Sequence, residues 1–121
     1  MGARVLLVED DAEASEALAG LLAGRGLSVL AADEGRKALE LMATWRPVVV
    51  LLDVHMPGMG GREFRRRQLD DPRIARIPVV VITGDPQAGL TANRTLHKPF
   101  TPDDLLGALA PFLPELAAVP G

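Results

Sequence analysis

The stretch VVVLLDVHMPGMGG at residues 48–61 decides the fold. Five apolar residues run without interruption into Asp53, and Pro57 with the glycines that follow prevents the strand from continuing. Such a run is typical of a strand that is buried on both faces of a parallel sheet. An ionised carboxylate at the end of a buried strand is costly unless another group or a metal ion compensates its charge. The stretch therefore predicts a central strand that carries an acid into a polar site.

Further apolar strands alternate with amphipathic helices along the chain. Strands are predicted at residues 4–8, 27–32, 48–52, 79–82 and 95–97. Helices are predicted at residues 12–24, from an N-cap at Asp33 to near Trp45, at 62–69, and from an N-cap at Thr101. This order predicts an α/β fold with a doubly wound parallel sheet. In such folds, ligands bind beyond the carboxyl ends of the strands.

Composition limits the function classes. The chain has 121 residues, of which 48% are apolar, so we expect one domain over 1–121, with a core at 4–113 and a tail at 114–121. The net charge of −3 argues against a nucleic-acid partner. The absence of cysteine excludes disulfides, thiol catalysis and cysteine metal sites. With neither a signal peptide nor an apolar run of about 20 residues, we expect a cytoplasmic protein without membrane contact.

Polar residues stand at the carboxyl ends of four predicted strands. Glu9 and Asp10 follow the first strand, Asp53 the third, Thr83 the fourth and Lys98 the fifth. Each residue alone has an ordinary explanation, such as a helix cap, a turn or a solvated surface. Together they should meet at one edge of the sheet, where three carboxylates would repel one another. Mg²⁺, which prefers oxygen ligands, would relieve this repulsion, and a lysine would offset more of the charge.

Four segments carry a family resemblance: VLLVEDD at 5–11, LLDVHMPGMGG at 51–61, VVVITG at 79–84 and HKPF at 97–100. In order and spacing they resemble the signatures of the receiver domain of response regulators in two-component signalling. The resemblance implies a flavodoxin-like sheet of five parallel strands in the order 2-1-3-4-5. It also implies a cytoplasmic signalling domain that catalyses its own phosphorylation and dephosphorylation on an aspartate.

The resemblance assigns the metal ligands and the phosphoacceptor. Asp53 matches the aspartate that takes the phosphoryl group and contacts Mg²⁺. Asp10 matches the acid that binds the metal directly, and Glu9 matches the acid that acts largely through water. The backbone carbonyl of His55 would be a further ligand. The phosphoryl donor implied is the phosphohistidine of a histidine kinase or phosphotransfer protein, and the output is altered binding to a downstream protein target of unknown identity.

The resemblance also assigns the residues that read the phosphoryl group. Thr83 matches the hydroxyl that moves to contact it, and Lys98 matches the lysine that pairs with one of its oxygens. The bond between Lys98 and Pro99 matches a cis peptide of the family.

Two departures from the family pattern lie near the fifth strand. Lys98 follows Thr83 by only 15 positions, about seven fewer than usual, so we expect the helix in this region to be absent or very short. Thr95 occupies the position of a usual aromatic residue. We therefore expect switching through residues 84–94 as an order–disorder change; the alternative is a neutral shortening. The basic run at residues 65–67 is interpreted as a solvated helix face.

Three other function classes remain for comparison. A receiver that binds partners without being phosphorylated is the main alternative, although the complete set of acids, Thr83 and Lys98 argues against it. A flavodoxin-like cofactor binder would need a phosphate-binding loop where this chain has the acidic EDDAEAS at 9–15. A Mg²⁺-dependent phosphohydrolase would need a second acid two residues after Asp53, where His55 stands.

Overall fold

Five parallel strands form a single sheet in the computed structural model, which describes residues 2–54, 58–85 and 92–114. The sheet order is β2-β1-β3-β4-β5, which confirms the predicted doubly wound topology. The strands are β1 (Arg4–Val8), β2 (Ser28–Ala32), β3 (Val49–Asp53), β4 (Val79–Thr83) and β5 (Arg94–His97). Every residue of β3 and β4 is buried, which explains their uninterrupted apolar sequences.

Helices cover both faces of the sheet. The helices are α1 (Ala12–Ala23), α2 (Gly35–Thr44), α3 (Gly61–Leu69) and α4 (Pro102–Leu109), and a short 3-10 turn (Ala110–Phe112) follows α4. Leu22 of α1 and Leu109 of α4 belong to the core on one face of the sheet. Met42 of α2 and Phe64 of α3 belong to the core on the other face. Within the described part of the chain, no helix has the length and apolar character needed to cross a bilayer.

The connection between β4 and β5 is too short for a full helix with loops on both sides. It consists of residues 84–93, whereas an average helix alone takes about 11 residues. Its end is fastened to the start of β4, because the Val79 amide donates to Asn93 Oδ1 at 2.9 Å and the Asn93 amide donates to the Val79 carbonyl at 3.0 Å. The connection thus agrees with the expected absence or shortness of a helix here, although residues 86–91 lie outside the described part.

Two local predictions are wrong. Glu34 is the N-cap of α2 and makes no side-chain capping bond, whereas Asp33 pairs with Lys37 at 3.0 Å on the surface. Arg65 is buried although the basic run was expected to be solvated; its neighbours on that run are exposed and bind Glu63. Asp33 takes a local partner, Lys37, four residues later, in place of a capping bond. The burial of Arg65 depends instead on neighbours in space that its position in the sequence pattern does not reveal.

The prediction for the start of α4 is confirmed. The Thr101 hydroxyl accepts a hydrogen bond from the Asp104 amide at 3.1 Å, and the Asp104 carboxylate accepts one from the Thr101 amide at 2.9 Å. This reciprocal pair is a capping box. It fixes the loop that leads from the carboxyl end of β5 into α4.

Candidate functional site

Three carboxylates meet at the carboxyl edge of the sheet. Asp53 is the last residue of β3, and Glu9 and Asp10 directly follow β1. The parallel register places Val8 opposite Leu52, so the residues that follow each of them are neighbours. One carboxylate oxygen from each of the three acids lies within 4.8 Å of the others. The sequence-based convergence of these acids is therefore present in the structure.

Glu9 is poorly compensated by the protein. Glu9 and Asp53 are each only 6% exposed, whereas Asp10 is open to solvent. Burial, reinforced by a hydrogen bond to Asp53 and by repulsion from its charge, raises the pKa of Glu9 to about 8. Glu9 Oε2 is buried and has no hydrogen-bond partner among the described residues. Buried polar atoms are normally paired, so this oxygen indicates that a group from outside the chain belongs here.

The donor set fits a hard divalent cation. Carboxylate oxygens are the ligands that Mg²⁺ prefers, and the exposed position of Asp10 gives an ion access from solvent. A cation at this point would satisfy Glu9 Oε2 and reduce the repulsion between Glu9 and Asp53. The backbone carbonyl of His55, which the resemblance adds to the ligand set, lies outside the described residues.

Lys98 directly follows β5, whereas the acids Glu9 and Asp10 follow β1 on the other side of β3 in the sheet order. The register pairs Asp53 with Ile82 and Thr83 with His97, which brings the ends of β3, β4 and β5 together. Lys98 Nζ lies 3.6 Å from Asp53 Oδ2. The Lys98 amide donates to the Thr83 carbonyl at 2.8 Å, and the Lys98–Pro99 peptide is cis, as the resemblance implies.

The Thr83 hydroxyl is held by the residue two positions later in the chain. It accepts from the Asp85 amide at 2.9 Å and donates to the Asp85 carbonyl at 3.2 Å. A hydroxyl-to-backbone turn of this kind is a general property of threonine in loops, so the sequence Thr-Gly-Asp could have signalled it. Between the two residues, Gly84 has space, because among the described residues an added Cβ would meet only Lys98 Cβ, at 4.0 Å.

The remaining predicted switch residue lies apart from this cluster. Thr95 is exposed on β5 and pairs with Val81, two positions before Thr83. The structure therefore brings together Glu9, Asp10, Asp53, Thr83 and Lys98, and leaves Thr95 on the outer strand. The arrangement offers a rigid carboxylate between a potential cation site and an ammonium group. An anionic group could be bound there by charges on two sides.

Comparison with known protein families supports the resemblance to receiver domains. The model of the response regulator receiver domain matches residues 5–110. The response regulator MprA of Mycolicibacterium vanbaalenii is 38% identical over 93% of this chain and 51% of its own length. Protein Rrf1 of Nitratidesulfovibrio vulgaris is 36% identical over 88% of this chain and 79% of its own. The chain spans about half the length of the MprA proteins that it matches.

Solved structures share the fold. Chemotaxis protein CheY4 of Vibrio cholerae superimposes with a TM-score of 0.84 at 32% identity, over 93% of this chain and 100% of that one. The receiver domain of the sensor histidine kinase PA1611 from Pseudomonas aeruginosa superimposes with a TM-score of 0.84 at 25% identity, over 93% of this chain and 98% of that one. In that structure a magnesium ion is coordinated in the active-site cleft.

Proposed function

The chain belongs to the response regulator receiver domain family of two-component signal transduction, and we propose that it accepts a phosphoryl group on Asp53 in a Mg²⁺-dependent reaction. The proposed donor is the phosphohistidine of a histidine kinase or phosphotransfer protein. The proposed single domain covers residues 1–121, with a core at 4–113 and a tail at 114–121. The negative net charge favours a protein over a nucleic acid as its downstream target.

One observation carries this proposal. Three carboxylates lie within 4.8 Å of one another at the same edge where Lys98 lies 3.6 Å from Asp53. Phosphoryl transfer depends mostly on positioning and on stabilising charge around the transferred group. An aspartate held between a cation site and a lysine meets both requirements, and carboxylates act as covalent nucleophiles towards phosphoryl groups.

Each residue has a defined part in the transfer. An Asp53 oxygen forms the new O–P bond while the P–N bond of the donor breaks, and the electron pair of that bond leaves with the imidazole. Glu9 and Asp10 would hold Mg²⁺ together with Asp53, and the ion supplies positive charge to the phosphoryl oxygens. Lys98, whose ammonium lies 3.6 Å from Asp53, neutralises another phosphoryl oxygen.

Thr83 couples the transfer to the connection between β4 and β5. Its hydroxyl proton is engaged with the Asp85 carbonyl at 3.2 Å, so a contact with a phosphoryl oxygen would break that bond. Breaking it would remove one of the two hydrogen bonds between Thr83 and Asp85 and so weaken the attachment of the connection to the end of β4, while Asn93 still fastens the far end of the connection to Val79. We expect amide exchange in residues 84–94 to change when beryllofluoride replaces the phosphoryl group. Unchanged exchange would contradict this switch.

The central test is phosphorylation with acetyl phosphate and Mg²⁺, followed by intact mass spectrometry. We expect one added phosphoryl group, none after Asp53→Asn and none with excess EDTA. Lys98→Gln should slow the reaction by about tenfold or more because it removes a charge that stabilises the transition state. Modification that persists in Asp53→Asn would contradict the assignment. A folded protein that accepts no phosphoryl group would favour the phosphorylation-independent binding module.

A further inference from the structure

An apolar cleft adjoins the acidic site and is not explained by phosphoryl transfer. Its volume is about 240 Å³. Leu7 and Ile82 of the sheet, Leu18 of α1 and Phe100 after β5 provide its apolar lining. Glu9, Asp53 and Lys98 line the same cleft. A hydrated metal ion and a phosphoryl group are both polar, so neither would make use of this apolar surface.

Small residues on α1 leave the cleft open. Ala14 and Ala17 line it, and Ala17 is exposed. A larger side chain at residue 17 would occupy space that is now accessible from solvent. An apolar cavity of about 150 Å³ in a protein can take up a benzene molecule, so the present cleft has room for a single ring with a short chain.

The polar lining is mainly acidic. It contains two carboxyl groups and one ammonium group, and that ammonium already lies 3.6 Å from Asp53. Glu9, which is 6% exposed, has an oxygen, Oε2, with no hydrogen-bond partner in the described part of the chain. An ammonium group on a ligand would donate a hydrogen bond to this oxygen and compensate the negative charge of the Glu9–Asp53 pair.

From these observations we infer that the cleft binds a small organic cation, an amine with one apolar ring or an apolar chain of similar size. The apolar part lies between α1 and Phe100, and the ammonium group lies against Glu9. Because the ammonium group and Mg²⁺ use the same carboxylates, binding of the amine excludes the metal. The amine is thereby an inhibitor of any Mg²⁺-dependent reaction at Asp53, although its binding does not depend on phosphorylation.

Titration of the metal-free protein with 2-phenylethylamine tests the inference, with amide chemical shifts as the readout. We expect shifts at residues 14–18 and at Phe100 that saturate at millimolar amine and are reversed by Mg²⁺. The neutral 2-phenylethanol and the ringless ethylamine should each bind about tenfold more weakly or worse, because each lacks one of the two interactions. Equal binding of the alcohol, or shifts confined to other residues, would overturn the inference.

Two matched substitutions on α1 distinguish amine binding in the cleft from Mg²⁺ binding at the acidic site. Ala17→Leu should reduce amine affinity about tenfold or more and leave Mg²⁺ affinity unchanged, whereas Ala23→Leu, an exposed position at the end of the same helix, should change neither. Undiminished amine binding in Ala17→Leu would overturn the inference while leaving the proposed function intact. Absence of phosphorylation in a protein that still binds the amine would overturn only the proposed function.

Discussion

Two buried polar clusters in this domain are satisfied to very different degrees. Gln68 is fully buried on α3; its amide nitrogen donates to the carbonyls of Ile74 and Ile77 at 3.0 and 2.8 Å, and its oxygen accepts from Arg65 at 2.7 Å. At the acidic site Glu9 is also buried, yet it faces another carboxylate and keeps one oxygen without a partner in the described chain. Gln68 is satisfied by the protein itself, whereas one oxygen of Glu9 has no hydrogen-bond partner among the described residues.

This difference separates stability from function. A satisfied buried amide fixes the segment that it binds, here the loop between α3 and β4. An unsatisfied buried carboxylate reduces the stability of the metal-free fold, and binding of a cation recovers that free energy. The comparison therefore predicts opposite results from neutral substitutions at the two positions.

The largest expected change in stability follows Gln68→Met. Methionine has a similar unbranched shape but makes none of the three hydrogen bonds, so the free energy of unfolding should fall by about 2–3 kcal/mol. Urea unfolding measures the change, and Mg²⁺ affinity should remain as in the parent protein. Arg76→Met, at an exposed position in the same loop, is the matched control and should have little effect. A loss no larger than that of the control would show that the hydrogen bonds of Gln68 do not stabilise the fold, and the contrast with Glu9 would fail.

Glu9→Gln should act in the opposite direction when no metal is bound. The pKa of Glu9 is about 8 in the folded protein against an ordinary value of 4.5, so the folded state holds this proton more tightly than the unfolded state. The parent protein should therefore lose stability as the pH rises from about 4.5 through 8, and the glutamine variant should lose less. Allowing for solvent near the site, we expect the variant to be about 1–2 kcal/mol more stable at pH 8.

The measurement is urea unfolding in EDTA at pH 5 and pH 8. The advantage of Glu9→Gln should be small at pH 5 and larger at pH 8. An equal advantage at both values would contradict the assigned cause, which is the charge of Glu9. Gln68→Met provides the comparison, because its loss of hydrogen bonds should be nearly independent of pH over this interval.

Added Mg²⁺ should reverse the order of stability of the parent protein and Glu9→Gln. An ion at ten times its dissociation constant stabilises the folded state by about 1.4 kcal/mol. The parent protein should gain this amount at a lower Mg²⁺ concentration than Glu9→Gln, which lacks one anionic ligand. Thermal unfolding over a Mg²⁺ series gives both dissociation constants. Equal dissociation constants for the parent protein and Glu9→Gln would show that Glu9 does not help to bind the cation.

The acidic cluster was predictable from sequence and the Gln68 cluster was not. Runs of apolar residues locate the parallel strands, and parallel strands bring their carboxyl ends together, so Glu9 and Asp53 follow from strand periodicity alone. The partners of Gln68 are backbone carbonyls that come within reach only after the irregular loop at residues 70–78 has folded. For the same reason, the burial of Arg65, a partner of Gln68, was missed. The pairing of Asp33 with Lys37 is a local contact between residues four positions apart and does not depend on that loop. The tie between Thr83 and Asp85 is an intermediate case, because it is local but depends on loop conformation.

Thr101→Ala should give the smallest change in stability. It tests whether the opposite responses of Gln68 and Glu9 come from their hydrogen bonding or from their distance to the acidic site. Thr101 lies three residues after Lys98, near the acidic edge, but its hydroxyl is satisfied by the Asp104 amide. Loss of this cap should lower the free energy of unfolding by about 1 kcal/mol, less than Gln68→Met because the position is exposed. Thr101→Ser, which retains the capping hydroxyl, is the control, and urea unfolding is the measurement.

Because the cap stabilises α4 without compensating any carboxylate of the site, Mg²⁺ affinity should stay constant in both variants. A gain in stability, such as Glu9→Gln should give, would mean that location rather than hydrogen bonding governs the response.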